Sequence, residues 1–358
     1  MEVALATGTL RLHVEEARWP LEALCDFATR RNPRRGFLIV SKLLGRHIPA
    51  APSQMRRAVR DLAGAMPDLP GPVLVVGLAE TAVCLGQSVF EELSSRAGWA
   101  GLFLPSTRQQ LDHPLLCRFE EPHSHASAHL IYRPQGFDLA AVRSLVLVDD
   151  EISTGTTLTN LATALCESLP ALEQIAVATL TDWSGKADWQ ASMPRPTTCT
   201  SLLRGSLDWT PQGPTPEAIA TFDRAAPNLG RLRPNRDYGR LGWAGEELPL
   251  PLLGLPSGQR IRIVCTGEFT YPPFLLAEQL EAQGHDVVVQ STTRSPVLRG
   301  GAIRHILTFD DNYGTQVPNF LYNADVGDGR LSLICHETPA GSVDAGLVAA
   351  LNATCLPF

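Results

Sequence analysis

Residues 144–165 read SLVLVDDEISTGTTLTNLATAL. The opening run is apolar and unbroken, as in a strand buried on both faces. It delivers two adjacent carboxylates, Asp149 and Asp150, and a short loop of Ser, Thr and Gly follows. Leu158, Leu161 and Leu165 then recur at helical spacing. In an open α/β sheet, ligands bind at this strand edge. The loop Glu151 to Thr157 can aim backbone N–H groups around Gly155, and the hydroxyls of Ser153, Thr154, Thr156 and Thr157, at an anion. The helix N-terminus adds a favourable dipole. Two carboxylates beside such a cradle suit a ligand with vicinal hydroxyls and a phosphate, a ribose 5-phosphate. No Lys follows Gly155, which argues against a nucleoside triphosphate P-loop.

Working outward, the apolar runs GFLIV, GPVLVV, GLFL, SLVLV and QIAVATL lie between Gly36 and Asp182, with amphipathic stretches between several of them. This alternation predicts a parallel sheet flanked by helices. A stretch dense in Pro, Gly and Arg follows, with a strand expected at residues 201–203 and a helix near 216–224. From Gln259 the alternation resumes through RIRIVC, PPFLLAEQLEAQG, DVVVQ, HILTF and RLSLIC. The expected units are residues 1–210, a connector at 211–258 and a smaller α/β unit at 259–358. The length of 358 residues agrees with roughly two domains.

The composition, 44% hydrophobic and 19% charged, is that of a globular chain, and the net charge of −7 argues against a general nucleic-acid binder. No secretory leader or membrane-spanning run is read, and the eight Cys never form CxxC, so free thiols in a reducing cytoplasm are expected. Lys occurs only at 42 and 186, the other basic residues being Arg. Lys42, directly after an expected strand, is a candidate for holding diphosphate.

The segments RRGFLIVSKLLGRHIP (34–49), VVGLAETA (75–82), FEEPHSHA (119–126), VDDEISTGTT (148–157), SLLRGSLDWTP (201–211) and TTRSP (292–296) together resemble a family of bacterial orotate-phosphoribosyltransferase-like proteins with a C-terminal TRSP domain. That family is associated with tellurium-resistance and stress-response gene neighbourhoods and with a nucleoside-like metabolite. The resemblance implies a type I phosphoribosyltransferase fold, with phosphoribosyl diphosphate (PRPP) and a small nitrogenous base as substrates. It also implies a Mg²⁺ cofactor, a homodimer, and no nucleic-acid or membrane partner.

By that resemblance Asp149 and Asp150 hold the ribose hydroxyls and stand near Mg²⁺, which is bound mainly through ligand oxygens and water. Residues 153–157 hold the 5′-phosphate. The turn Gly77, Leu78, Ala79 and Glu80 carries the diphosphate. Glu80 either orients that loop or a metal-bound water, or caps the helix that follows. Residues 106–132 form a hood in which Arg108, Glu121, His123 and His125 close over diphosphate and base, excluding water from a reactive ribosyl cation. The HxHxxxH spacing, which ends at His129, lacks a supporting ligand for a metal site. Ser153 stands where purine-salvage relatives carry Asp, which suggests a base that is already anionic or easily deprotonated. Asp182 and Trp183, at the end of the next strand, are candidates for the base wall. A PRPP- or nucleotide-sensing regulator, or ribonucleotide cleavage by the reverse chemistry, is the competing reading.

The second unit parallels the first: RIRIVCTGEF matches PVLVVGLAET, and ILTFDDNYGT matches LVLVDDEISTGT. Either a diverged repeat that lost its hood and kept a phosphate or ribose site, or convergent strand-end chemistry, produces this pattern. Strand order decides between them. The candidate residues of this second site are Thr266, Gly267, Glu268, Tyr271, Thr293, Arg294, Ser295, Asp310, Asp311, Asn312 and Tyr313.

Overall fold

A computed structural model describes residues 1–30, 35–96, 98–120, 128–185, 188–212, 237–315 and 317–358. The helix expected near 216–224 lies outside the described residues. In chain order the first unit contains β1 (Glu2–Leu5), β2 (Gly8–Ala17), α1 (Leu21–Leu24), β3 (Cys25–Thr29), β4 (Phe37–Ser41), α2 (Pro52–Gly64), β5 (Val73–Gly77), α3 (Val83–Ser94) and β6 (Gly101–Pro105). It continues through β7 (Leu115–Glu120), β8 (Ala128–Tyr132), β9 (Ser144–Ile152), α4 (Thr156–Cys166), β10 (Gln174–Asp182) and β11 (Thr197–Pro211). The second unit contains β12 (Arg260–Cys265), α5 (Tyr271–Ala282), β13 (Asp286–Ser291), β14 (Ile306–Asp310), β15 (Pro318–Tyr322), β16 (Leu331–His336), α6 (Ala345–Leu351) and β17 (Thr354–Pro357).

The apolar run of β9 makes it a central strand. The seven-stranded sheet runs β1-β2-β11-β10-β9-β5-β6, parallel from β11 to β6, with a β1–β2 hairpin joined antiparallel to β11. Leu145, Val146, Leu147 and Val148 are wholly buried between β5 and β10. After β5 the chain crosses through α3 to β6, whereas after β9 it crosses through α4 to β10 on the opposite side. The C-terminal ends of β5 and β9 therefore flank a topological switch point, where the diverging loops leave a crevice.

Two strand expectations need correction. GFLIV, as β4, does not join the parallel sheet but pairs antiparallel with β3, and the strand expected at 201–203 is the middle of the fifteen-residue β11. The hood expectation gains a frame: β7 and β8 pair antiparallel between β6 and β9.

The second sheet runs β13-β12-β16-β17, all parallel. This order matches β6-β5-β9-β10 strand for strand. The helices α5 and α6 stand where α3 and α4 stand, and the antiparallel ribbon β14–β15 stands where β7–β8 stands. The match corrects two expectations. The second unit keeps a hood-like ribbon, and ILTFDD belongs to that ribbon rather than to the counterpart of β9, which is β16. Along β12, Ile261, Ile263 and Cys265 enter a core continuous with that of the first unit, while Val264 joins a smaller cluster with Ile334 and Leu347 of α6. Helices α2, α3 and α5 pack together between the two sheets. All eight Cys are free, and among the described residues no helix is long and apolar enough to cross a membrane.

Candidate active site

The crevice at the switch point is a cavity of about 250 Å³. The end of β9, the loop after it and the start of α4 form one wall, with Asp149, Asp150, Glu151, Ser153, Thr154, Gly155, Thr156 and Thr157. Gly155 precedes α4 with φ +73°, and a Cβ there would lie 2.5 Å from the Trp189 ring, so glycine is required for both backbone conformation and space. Thr154 and Thr156 hydroxyls lie 3.0 Å apart at the helix entry.

The turn after β5 forms a second wall, with Leu78, Ala79, Glu80 and Thr81. The Thr81 hydroxyl donates to Asp150 Oδ1 at 2.7 Å, joining the two walls. Burial, followed by the neighbouring Glu151 charge, pushes the Asp150 carboxyl up to about 6. Arg35 in turn pairs with Glu151. Burial alone would raise Glu80, yet its carboxyl sits below the usual range because Arg46, Arg294 and Arg108 surround it and the Thr293 hydroxyl donates to it. Arg46 is 3% exposed and donates to the Glu80 carbonyl at 2.5 Å, fixing the turn. The neighbouring His47 is held neutral, pushed down to about 3 by burial and then by Arg46 and Arg30.

Three sequence expectations are redirected. Gly77 does not line the cavity: its missing Cβ lets α3 approach, since a Cβ would meet the Ala82 carbonyl at 2.7 Å. The Leu78 and Ala79 amides are engaged by the Val148 carbonyl and the Ser106 hydroxyl, so this part of the turn offers an anion no free amide. Lys42 lies off the cavity, donating to the Glu22 carbonyl at 2.8 Å and standing 3.9 Å from Asp26. The cavity's cations are instead Arg30, Arg35, Arg46, Arg108 and Arg294.

Asp182 and Trp183 do not form a wall of the cavity. Trp183 is 3% exposed and packs in the core, because the strand end turns the indole inward. Asp182 accepts from the Ser184 amide and hydroxyl at 3.0 and 2.6 Å, and the Trp189 indole N–H donates to that hydroxyl at 3.2 Å. Asp182 thus supports the ring that closes on Gly155. The side facing β4 is lined instead by Leu38, Ile39 and Ser41.

Arg108 lines the cavity and donates its amide to Glu268 at 2.7 Å, whereas Glu121, His123 and His125 lie outside the described residues. His129 lines the cavity from β8, 3.0 Å from the Ser106 hydroxyl. Thr81, Arg30, Arg35 and Arg46 were missed as site residues: Arg35 and Arg46 stand in the segment 34–49 and Thr81 in 75–82, but nothing within those segments singles them out.

The candidates of the second unit divide. Thr293, Arg294 and Ser295 line the first unit's cavity. Thr266, Glu268 and Tyr271 are buried. Gly267, at φ +57°, donates its amide to the Thr292 hydroxyl. Asp310 is exposed and Asp311 accepts from the Tyr313 and Thr315 amides, so this pair shapes a ribbon turn and is no second ribose acid. Asn312 donates to Thr338, and the Tyr313 hydroxyl donates to the Thr266 carbonyl or Glu337 at 3.0 and 3.1 Å. Among the described residues no group of three or more His, Cys, Asp or Glu could hold a metal. A cation beside Asp149 and Asp150 would complete its shell with oxygens of a bound anion and water, which suits a hard oxygen-seeking ion.

A family model described as phosphoribosyl transferase matches residues 24–206, and one described as the TRSP domain C-terminal to it matches residues 246–351. Solved structures similar to the chain include adenine phosphoribosyltransferase from Rhodothermus marinus, at 15% identity, covering 51% of this chain and 94% of that one, with a TM-score of 0.36. The APRTase from Giardia lamblia complexed with 9-deazaadenine is 16% identical, covering 53% and 98%, with a TM-score of 0.35. Adenine phosphoribosyl transferase from Trypanosoma brucei, in complex with AMP, pyrophosphate and ribose-5-phosphate, is 13% identical, covering 50% and 76%, with a TM-score of 0.33. No curated protein matches the chain.

Proposed function

The chain belongs to the phosphoribosyl transferase family, and from that premise we propose that it transfers the ribose 5-phosphate group of PRPP to a nitrogenous base with release of diphosphate. One observation carries this reading: the carboxylates of Asp149 and Asp150, the hydroxyl-rich loop 153–157 and the Glu80–Thr81 turn converge on one cavity and are joined by the Thr81–Asp150 hydrogen bond. Carboxylates accept hydrogen bonds from vicinal ribose hydroxyls, and the loop and helix entry receive the 5′-phosphate. The arginine-lined turn faces the diphosphate.

In the reaction the bond from the anomeric carbon to diphosphate oxygen breaks, its electron pair leaving with diphosphate, and a base nitrogen forms the new bond from the opposite face. The anomeric configuration inverts. The protein's contribution is to hold both phosphates, orient the ribose and exclude water. Mg²⁺, bound near Asp149 and Asp150 through substrate oxygens and water, would neutralise charge developing on the leaving diphosphate.

The acceptor is a flat base lying toward Leu38 and Ile39, and the family resemblance favours an orotate-like one. A place in making a stress- or tellurite-linked nucleoside-like metabolite follows from the family resemblance. The test is incubation with PRPP, Mg²⁺ and a panel of bases, including orotate and adenine. Base-dependent release of diphosphate together with a new nucleotide is the expected result. Tight PRPP binding with no turnover on any base would favour a PRPP-binding regulator.

A further inference from the structure

The two units share more than strand order. The Ser106 amide donates to the Gly77 carbonyl at 2.9 Å, and the Thr292 amide donates to the Cys265 carbonyl at 2.9 Å. The Ala79 amide donates to Ser106 Oγ at 2.8 Å, and the Gly267 amide donates to Thr292 Oγ1 at 2.8 Å. Thr107 exchanges both backbone bonds with Leu130 of the hood, as Thr293 does with Phe320 of β15. Helices α3 and α5 each contain twelve residues. Convergent strand-end chemistry does not reproduce side-chain and backbone hydrogen bonds at matched positions, so the units are two copies of one fold.

Their mutual contact is reciprocal. Thr107 of the first unit donates to Glu268 of the second at 2.5 Å, and Thr293 of the second donates to Glu80 of the first at 3.3 Å. Equivalent helices α3 and α5 also pack on one another. A patch that meets its own counterpart in this way is the signature of a two-fold, isologous interface.

The crevices differ. In the second unit the position of Asp150 falls to Glu337, after β16, and Arg240 fills the space beside it. Arg240 forms a bidentate pair with Glu337 at 2.6 and 2.5 Å and lies 4.0 Å from Glu268. Both partners of that pair are buried, at 5% and 0% side-chain exposure. The second crevice is therefore closed by the chain itself.

We infer that the second unit is a built-in partner subunit, a copy of the catalytic fold that has lost its own site and lends Arg294 to the first unit's cavity as a contact for the diphosphate of PRPP, with Thr293 holding the Glu80 turn beside it. In place of the expected homodimer, one chain carries both halves of the pair. Arg294 is half-buried, lines the cavity and acts with Arg46 on the Glu80 turn. A phosphate oxygen reaching that turn would meet a guanidinium from the second unit, a geometry suited to charge-assisted contacts. The inference rests on the phosphoribosyl-transfer reading.

The test is calorimetric titration of the full chain with Mg²⁺-PRPP, inorganic diphosphate and ribose 5-phosphate, for the wild type, Arg294→Gln and Thr293→Val. Arg294→Gln is expected to weaken PRPP and diphosphate roughly tenfold to a hundredfold, the size of one lost charged contact, while leaving ribose 5-phosphate affinity unchanged. Thr293→Val is expected to act in the same direction with a smaller loss, and Arg294→Lys to restore part of the affinity. Wild-type PRPP binding that Arg294→Gln leaves intact, or equal weakening of diphosphate and ribose 5-phosphate, would overturn the built-in-partner role while leaving phosphoribosyl transfer standing. Absence of wild-type PRPP binding would overturn both.

Discussion

The two switch-point crevices use the same strand order to opposite ends. In the first, Asp149 and Asp150 face an open cavity, and in the second Glu337 is sealed by Arg240. A buried carboxylate needs a counter-charge, a proton or a ligand. Glu337 has its counter-charge within the chain. Asp150 has the Thr81 hydroxyl and a proton affinity raised by burial, and under the proposed reaction it accepts hydrogen bonds from ribose hydroxyls.

The largest effect should come from breaking the closed side. Arg240→Met strands a buried carboxylate and is expected to cost about 3–5 kcal/mol in urea unfolding, with much of the loss recovered by the paired Arg240→Met and Glu337→Leu substitution. Little recovery in the pair would mean that Arg240 acts through packing rather than charge.

On the open side, Asp150→Asn should lower turnover by roughly a hundredfold, as two charged contacts to the ribose are weakened. It should also raise the melting temperature at pH 7. Because folding raises the Asp150 pKa from 3.8 to about 6, its ionisation destabilises the fold progressively as pH rises through that window, and the amide removes this penalty. A melting temperature that drops would show that the Thr81 bond outweighs the burial of charge. Glu80 has the opposite sign. Its depressed pKa contributes stability above the ordinary Glu range that is lost as pH falls through its folded value, so Glu80→Gln should flatten the acid limb of a pH–stability curve.

Gly155→Ala tests the phosphate loop by strain rather than charge. A Cβ at φ +73° against Trp189 is expected to cost about 1–3 kcal/mol and to weaken ribose 5-phosphate binding. The smallest effect belongs to Lys42→Ala, whose exposed contacts with Glu22 and Asp26 predict a change within about 1 kcal/mol and unaltered PRPP affinity.

The legibility of the site followed the locality of its chemistry. Residues 149–157 were readable because strand, carboxylates, loop and helix are contiguous, so one segment carries both fold and ligand logic. Arg46, Thr81 and the cavity-facing role of Arg294 were not, because their roles arise only when distant segments meet: Arg46 joins the Glu80 and Thr292 carbonyls. Trp183 was misplaced because an indole at a strand end reads alike whether the last turn aims it outward or into the core. Asp310 and Asp311 were misplaced because a short apolar run followed by two acids does not reveal whether the strand joins a parallel sheet or a ribbon. The repeat was legible along β12 and α5, where the spacing matches the first unit, and blurred after β13, where loop lengths differ.

Calorimetric titration of the full chain with Mg²⁺-PRPP tests the contrast between the two crevices most directly. The account predicts one PRPP per chain, bound at a site that is lost when Asp149 and Asp150 are both changed to Asn. Two sites per chain, or one that survives that double substitution, would contradict it.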